Sequence, residues 1–390
     1  MRTILKIFIC TPLLILLAGC WNKFEMTEWG FVQAVAIDRS DEGKIELNVH
    51  IYKPGGDITR QMKGGHSYMN IRTEADSVFE AVRDIPLHLG RKAQWSHMRV
   101  ILVGEELAKK TSMTDLVDFF ERDHEPRETI SITITQGRAS DYLNAELYVE
   151  NTIGQQVKTL QRAASRFSSK TTSVNLLDVI VTSKSEVNAM IVPYAQLRSS
   201  NAKKEKQIIL AGAALLKDGK MKDSVLSPEQ VKYYLMLADK YEGGIIDIPC
   251  DALEKTGIHF TEAFEVGELK TKMKPMIKGD QVTVQVKTEI EGTIGELHCS
   301  SIVDLESEKK LAQRIGSIVE ERLRETVRVL QKQKTDVLGI GNQLYRHHPT
   351  EWQSWKKNWD MHFAQSQFDI HVDVTIHNVG KVSGKASVRH

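Results

Sequence analysis

Apolar and polar positions change period several times along the chain, and each change marks an element. Residues 30–38 form an apolar run fit for a strand, and 39–43 make a polar turn. Ile45, Leu47, Val49 and Ile51 then alternate with polar neighbours, which predicts a second strand and a hairpin. A strand near 68–73 follows. Val78, Val82, Ile85 and Leu89 recur at helical spacing and predict a helix over 75–89. Residues 98–104 read as a strand, 114–122 as a helix, and 129–136 as a strand with Ile130, Ile132 and Ile134 on one face.

In the second half, 208–217 with Asp218-Gly219 reads as a strand and tight turn. Ser227-Pro228-Glu229 opens a helix through Leu237, with Ser as N-cap and Pro in the first turn. Val282, Val284, Val286, Thr288 and Ile290 alternate with polar residues, predicting a long strand with one wet face. The longest helix is expected over 305–336, with an apolar stripe of Leu311, Ile315, Ile318, Leu323, Val327 and Leu330. Phe368, Ile370, Val372, Val374 and Ile376 close the chain as another alternating strand. Interleaved strands and helices predict an α+β protein, with mixed sheets and packed helices in two or three domains. A polar stretch at 198–206, carrying Lys203, Lys204 and Lys206, suggests a boundary. The expected division is an N-terminal α/β domain over 20–200 and a C-terminal α+β domain over 207–390, with room for a further division near 250–280.

The first twenty residues stand apart from this alternation. Arg2 and Lys6 precede an apolar run over 7–17, broken only by Thr11 and Pro12, and Ala18-Gly19 lead into Cys20. That order is a secretory signal over 1–19. A cysteine directly after Ala-Gly is the bacterial lipobox pattern, in which the thiol receives a diacylglyceryl group, the chain is cut before the cysteine and its new amino end is acylated. The run is well short of the roughly 20 apolar residues of a spanning helix. Two acyl chains suffice for stable anchoring where one is marginal. The reading is a body tethered to a bilayer through Cys20, with Trp21 at headgroup level.

Composition adds mainly exclusions. Net charge is +1, with 41% hydrophobic and 26% charged residues, so no global field favours nucleic acid. Cys10 leaves with the signal, and Cys250 and Cys299 remain as either one disulfide or two buried thiols. Gly339-Ile340-Gly341 lacks the third glycine of a dinucleotide loop and follows a helix. The 380–385 stretch has three residues between its glycines where a phosphate loop needs four. His371, Asp373 and His377 share the polar face of the last strand and are weighed as metal ligands against a solvated face, which is favoured. Trp352, Trp355 and Trp359, with Phe363, mark one helical face and are read as core. The basic glycine-rich loop at 54–65, with Arg60 and Lys63, is read as solvated rather than lipid-binding. His347-His348-Pro349 is read as a loop. No catalytic residue, metal or cofactor is assigned.

Taken together, Leu17-Ala18-Gly19-Cys20-Trp21, the run from Gly30-Phe31-Val32 to Ile37-Asp38, Gly90-Arg91-Lys92, Trp95-Ser96-His97 and Gly104-Glu105-Glu106-Leu107-Ala108 resemble one family. So does the C-terminal set Asp336-Val337-Leu338-Gly339-Ile340-Gly341, Leu344-Tyr345-Arg346, Pro349, Trp352, Trp359 and Phe363. The family is the C subunit of GerA-type spore germinant receptors, the Ger(x)C lipoproteins, and the resemblance covers nearly the whole chain. Asn22 departs from it, standing where many relatives carry an acidic residue. The resemblance implies a non-enzymatic subunit on the outer face of the spore inner membrane, partnered by multi-pass A and B subunits, with Cys20 as the one transferable functional position. The alternative is a lipoprotein that itself binds a small nutrient ligand for a membrane transporter or receptor. A tethered hydrolase is the third class, disfavoured by the lack of a nucleophile motif.

Overall fold

Strand β1 (Trp29–Arg39) supplies the middle of a nine-stranded sheet in the computed structural model, which describes residues 25, 28–53, 67–199, 206–250 and 260–378. The expected signal segment over 1–19, Cys20, Arg60, Lys63 and residues 380–385 lie outside the described residues. β1 turns back antiparallel into β2 (Ile45–Tyr52), as the alternation predicted, and β2 pairs antiparallel with β3 (Tyr68–Ala75). Helix α1 (Val78–Leu89) begins three residues later than the periodicity suggested. Strand pairing runs through Ala75, and the Ser77 hydroxyl caps the helix by accepting the Glu80 N–H. A short β4 (Lys92–Gln94) pairs parallel with the start of β1, and β5 (Val100–Gly104) pairs parallel with its second half.

Helices α2 (Glu105–Lys110) and α3 (Met113–Arg122) lead to β6 (Ser131–Thr135), parallel to β5. Every residue of β5 and β6 is buried, the expected outcome for parallel strands covered on both faces. After a 3-10 turn (Ala139–Asn144) come α4 (Ile153–Ser168) and α5 (Leu176–Ser183). The sheet is completed by β7 (Ala189–Ser199), β8 (Lys206–Lys217) and β9 (Lys220–Leu226), giving the order β3-β2-β1-β5-β6-β7-β8-β9. One face packs against α1, α2, α3 and α5, and the other against α4 and the 3-10 turn. The expected division at 200–207 falls in the connection between β7 and β8, which pair antiparallel from Ala189↔Lys217 to Ser199↔Lys206.

Helix α6 (Pro228–Leu237) starts at the Ser227-Pro228 signal, with a reciprocal capping box between Ser227 and Gln230. A second sheet follows: β10 (Gly244–Pro249), β11 (Thr261–Lys278) and β12 (Gln281–Glu296) run antiparallel, and β13 (Gln367–Asn378) adds parallel to β12. Between β12 and β13 stands α7 (Leu305–Lys332), whose buried stripe is Leu311, Ile315, Val319, Leu323, Val327 and Leu330. Val319 takes the place expected for Ile318, which is only partly buried. The helix stops at Lys332 rather than 336 because Lys334 takes a left-handed φ of 51°.

Three short helices fill the corner: α8 (Ile340–His347), α9 (Pro349–Trp355) and α10 (Trp359–Gln365). The tryptophan stripe was expected on one helix. It is broken by a 3-10 turn at Lys356–Asn358, which brings the Trp352 and Trp359 rings to 5.3 Å, edge to face. In an unbroken helix, residues seven apart are about 10 Å apart along the axis. His347 sits at the end of α8, and His348 links it to α9. One core joins Ile191, Ala213, Leu215 and Leu226 of the large sheet to α6, α7 and the second sheet.

Candidate functional site

Four buried carboxylates organise the turns of this fold, and each spends its oxygens on fixed donors. Asp38, at the end of β1, accepts the Ala139 and Ser140 N–H groups at 2.7 and 2.8 Å and so starts the 3-10 turn. Burial raises its pKa against those bonds. Glu46 on β2 accepts from Arg138 at 2.6 Å, Arg72 at 2.8 Å and the Asn48 amide at 2.8 Å. Burial works to raise its pKa, but Arg138, Asn48 and Arg72 together hold it below the usual carboxylate value. Glu262, fully buried on β11, accepts the backbone N–H groups of His298, Cys299 and Ser300 and the Ser300 hydroxyl.

Asp336 is the fourth. One oxygen accepts the Ile340 N–H at 3.1 Å; the other accepts the Gly341 N–H at 2.8 Å and the Trp359 indole N–H at 3.0 Å. It caps α8 from a distance, because Gly339, with φ of 71°, has no side chain to do so. Burial raises its pKa, opposed by the bonds from Gly341, Ile340 and Trp359. Around this carboxylate the C-terminal helices lock onto the large sheet. The Trp352 indole donates to Glu186 Oε2 at 3.1 Å, and Lys356 Nζ lies 2.8 Å from the same oxygen. The Asn342 amide oxygen accepts the Val187 N–H at 2.9 Å, and Lys217 at the end of β8 pairs with Asp360. Gly341 is required here, since a Cβ would stand 2.6 Å from Val187 Cγ2 and 2.7 Å from Trp359 Nε1. The sequence flagged Asp336, Gly341 and both tryptophans as signature residues. It gave no role to Glu186 or Lys217, whose partners lie more than a hundred residues away.

The other sequence candidates separate. Cys250 and Cys299 form a disulfide, with Cα atoms 5.9 Å apart, tying the end of β10 to the turn that Glu262 holds. Cys250, Cys299 and Glu262 are also the one metal-like grouping among the described residues, but the sulfurs are bonded to each other and Glu262 is filled by N–H donors. His371, Asp373 and His377 do not converge. His371 pairs with Asp373 at 3.1 Å and Glu320 at 3.5 Å, whereas His377 pairs with Glu291 at 2.7 Å. A polar depression of about 520 Å³ is lined by Glu46, Asn70, Arg72, Arg138 and Asp141, but Glu46 already occupies both guanidinium groups. The four buried acids thus accept hydrogen bonds from backbone N–H groups, an amide, an indole, a hydroxyl and two guanidinium groups, and each ties a turn or strand end to a second segment.

Comparison with known proteins agrees with the C-terminal signature and extends it. Residues 22–197 match the family model described as spore germination protein N-terminal domain, and 211–380 match spore germination B3/GerAC like, C-terminal. The chain belongs to the Ger(x)C family of spore germination proteins. Among Ger(x)C relatives from Bacillus subtilis (strain 168), spore germination protein KC is 22% identical over 387 residues, covering 94% of this chain and 93% of the relative. Spore germination protein B3 is 23% identical over 400 residues, covering 98% and 100%. Spore germination protein A3 is 25% identical over 384 residues, covering 97% of each. A crystal structure of the GerBC protein shares the fold, with a TM-score of 0.54 at 18% identity over 88% of this chain and 97% of that one.

Proposed function

We propose that this protein is the lipid-anchored C subunit of a nutrient germinant receptor, acting without catalysis through contacts with multi-pass A and B subunits. It is held on the outer face of the spore inner membrane by S-diacylglycerol and N-acyl groups on Cys20. The observation that carries this reading is the pair of family matches, over residues 22–197 and 211–380. The lipobox Leu17-Ala18-Gly19-Cys20 supports the anchor. No described helix is long and apolar enough to cross a membrane; two acyl chains on Cys20 would suffice for stable attachment. The buried acids Asp38 and Asp336 are used as turn-holders, which supports a structural rather than a chemical role for the body.

Replacing Cys20 tests this directly. Spores carrying Cys20→Ala are expected to lose the protein from the inner-membrane fraction and to respond weakly to nutrients. Normal germination with the variant at normal level would refute the anchor. Co-purification of the wild-type chain with two multi-span proteins tests the partner assignment, and calorimetry with candidate nutrients separates it from direct ligand capture.

A further inference from the structure

The turn joining α1 to β4 lies against the first residues of β1, at the end of the molecule where the chain departs toward Cys20. Lys92 stands in register with Trp29, and Leu89 Cδ2 lies 2.6 Å from where a Cβ on Gly30 would be, so the two segments form one surface. Gly90 turns the chain sharply with φ of 65° and donates its N–H to the Pro86 carbonyl, which leaves Leu87, His88 and Arg91 facing outward. Leu87 is 79% exposed, although it lies in the last turn of a helix whose other apolar residues are largely in the core. Lys92 Nζ sits 4.8 Å over the Trp29 ring and 3.5 Å from Glu125. Among the described residues no carboxylate pairs with the exposed Arg91. Two acids of this region have other partners: Glu125 also accepts the Trp95 N–H, and Glu28 accepts that of Glu25.

An outward aliphatic residue and an exposed guanidinium on one turn, with an aromatic ring on the strand that turn packs against, is the chemistry of a lipid–water boundary. The aliphatic group enters the acyl edge, the indole takes the headgroup level, and the guanidinium binds phosphate in a fork. The tether brings this surface to the lipid. Trp29 follows Cys20 by nine residues, which reach at most about 30 Å when fully extended. We propose that the 86–92 turn and Trp29 rest on the bilayer that holds Cys20, with Leu87 inserted at the headgroup boundary and Arg91 on a lipid phosphate. This inference rests on the lipid-anchor reading. It sets an orientation, because β1 then runs away from the membrane and its far turn at 40–44 projects outward.

Full-length acylated protein in vesicles of phosphatidylcholine and phosphatidylglycerol provides the test, with a nitroxide at Leu87→Cys or, as control, at the exposed Lys44→Cys. The native disulfide and the acylated Cys20 leave the new thiol as the labelling site. The Leu87 nitroxide is expected to collide preferentially with oxygen and to be shielded from a water-soluble nickel chelate, with the reverse for Lys44. Adding Arg91→Glu should move the Leu87 label several-fold toward water. Protein that fails to float with the vesicles removes the anchor and the docking together. Protein that floats while the Leu87 label is as wet as the Lys44 label overturns the docking surface alone.

Discussion

At the residue scale, the informative side chains are polar groups that the fold has taken out of water. His50 on β2 is fully buried, with Nδ1 2.7 Å from the Asn70 amide oxygen and Nε2 accepting the Ile153 N–H at 3.3 Å. These partners assign a neutral ring with the proton on Nδ1, because a second ring proton would face the Ile153 N–H. Burial drives its pKa down to about 4, against an upward pull from Asn70. Between pH 6.5 and 4 the unfolded chain therefore binds a proton that the folded one refuses. The stability is present above pH 6.5 and is lost as pH falls toward 4, by about 3 kcal/mol in all. The raised pKa values of buried Asp38 and Asp336 act with the opposite sign, gaining stability on acidification. The measurement is thus the difference between wild type and His50→Gln in urea unfolding at pH 7 and pH 4.5. The variant is expected to lose less stability over that interval; equal losses would refute the assignment.

At the element scale, what matters is how ends are tied. Glu320 and Arg324 of α7 form an ion pair at 2.8 Å and cover part of the outer edge of β13. One accepts the Val372 N–H and the other donates to the Ile370 carbonyl. The disulfide closes a separation of 49 residues between the end of β10 and the turn after β12. A loop of that length contributes about 4 kcal/mol in the chain-entropy treatment. Reduction, or paired Cys250→Ser and Cys299→Ser replacement, is expected to lower the thermal midpoint markedly. Calorimetry with and without reductant reads this, and an unchanged midpoint would show that the staple contributes nothing. Elements with clean periodicity, such as α1, α3, β2, β12 and α7, were legible in the sequence. Helix α4 was not picked out, although Ile153, Val157 and Leu160 recur at spacings of four and three; its buried face also carries Gly154, Gln156, Gln161 and Ser165, which dilute that stripe. Strand β11 was hidden by its register shifts, Pro275 and the lysines at 270, 272 and 274.

For the whole molecule, the large sheet and the C-terminal half share one core and the Asp336 cluster. They are therefore expected to unfold together. Trp359→Phe keeps an aromatic ring but leaves Asp336 one donor short in a buried site, a loss of about 1–3 kcal/mol. Its expected signature is a single transition at lower denaturant, coincident for fluorescence and circular dichroism; two separated transitions would mean the halves fold independently. The sequence alone determined the α+β class and the family, and it is the basis of the proposed export signal and lipid-bearing Cys20, because those depend on local order and period. Only the tertiary structure decided that Cys250 meets Cys299, that Glu186 receives Trp352, that the tryptophan stripe breaks so that Trp352 meets Trp359 edge to face, and that His371 and His377 part company. Each of these is a meeting between residues far apart in the chain or a choice among partners on a crowded surface. Local periodicity carries no information about either.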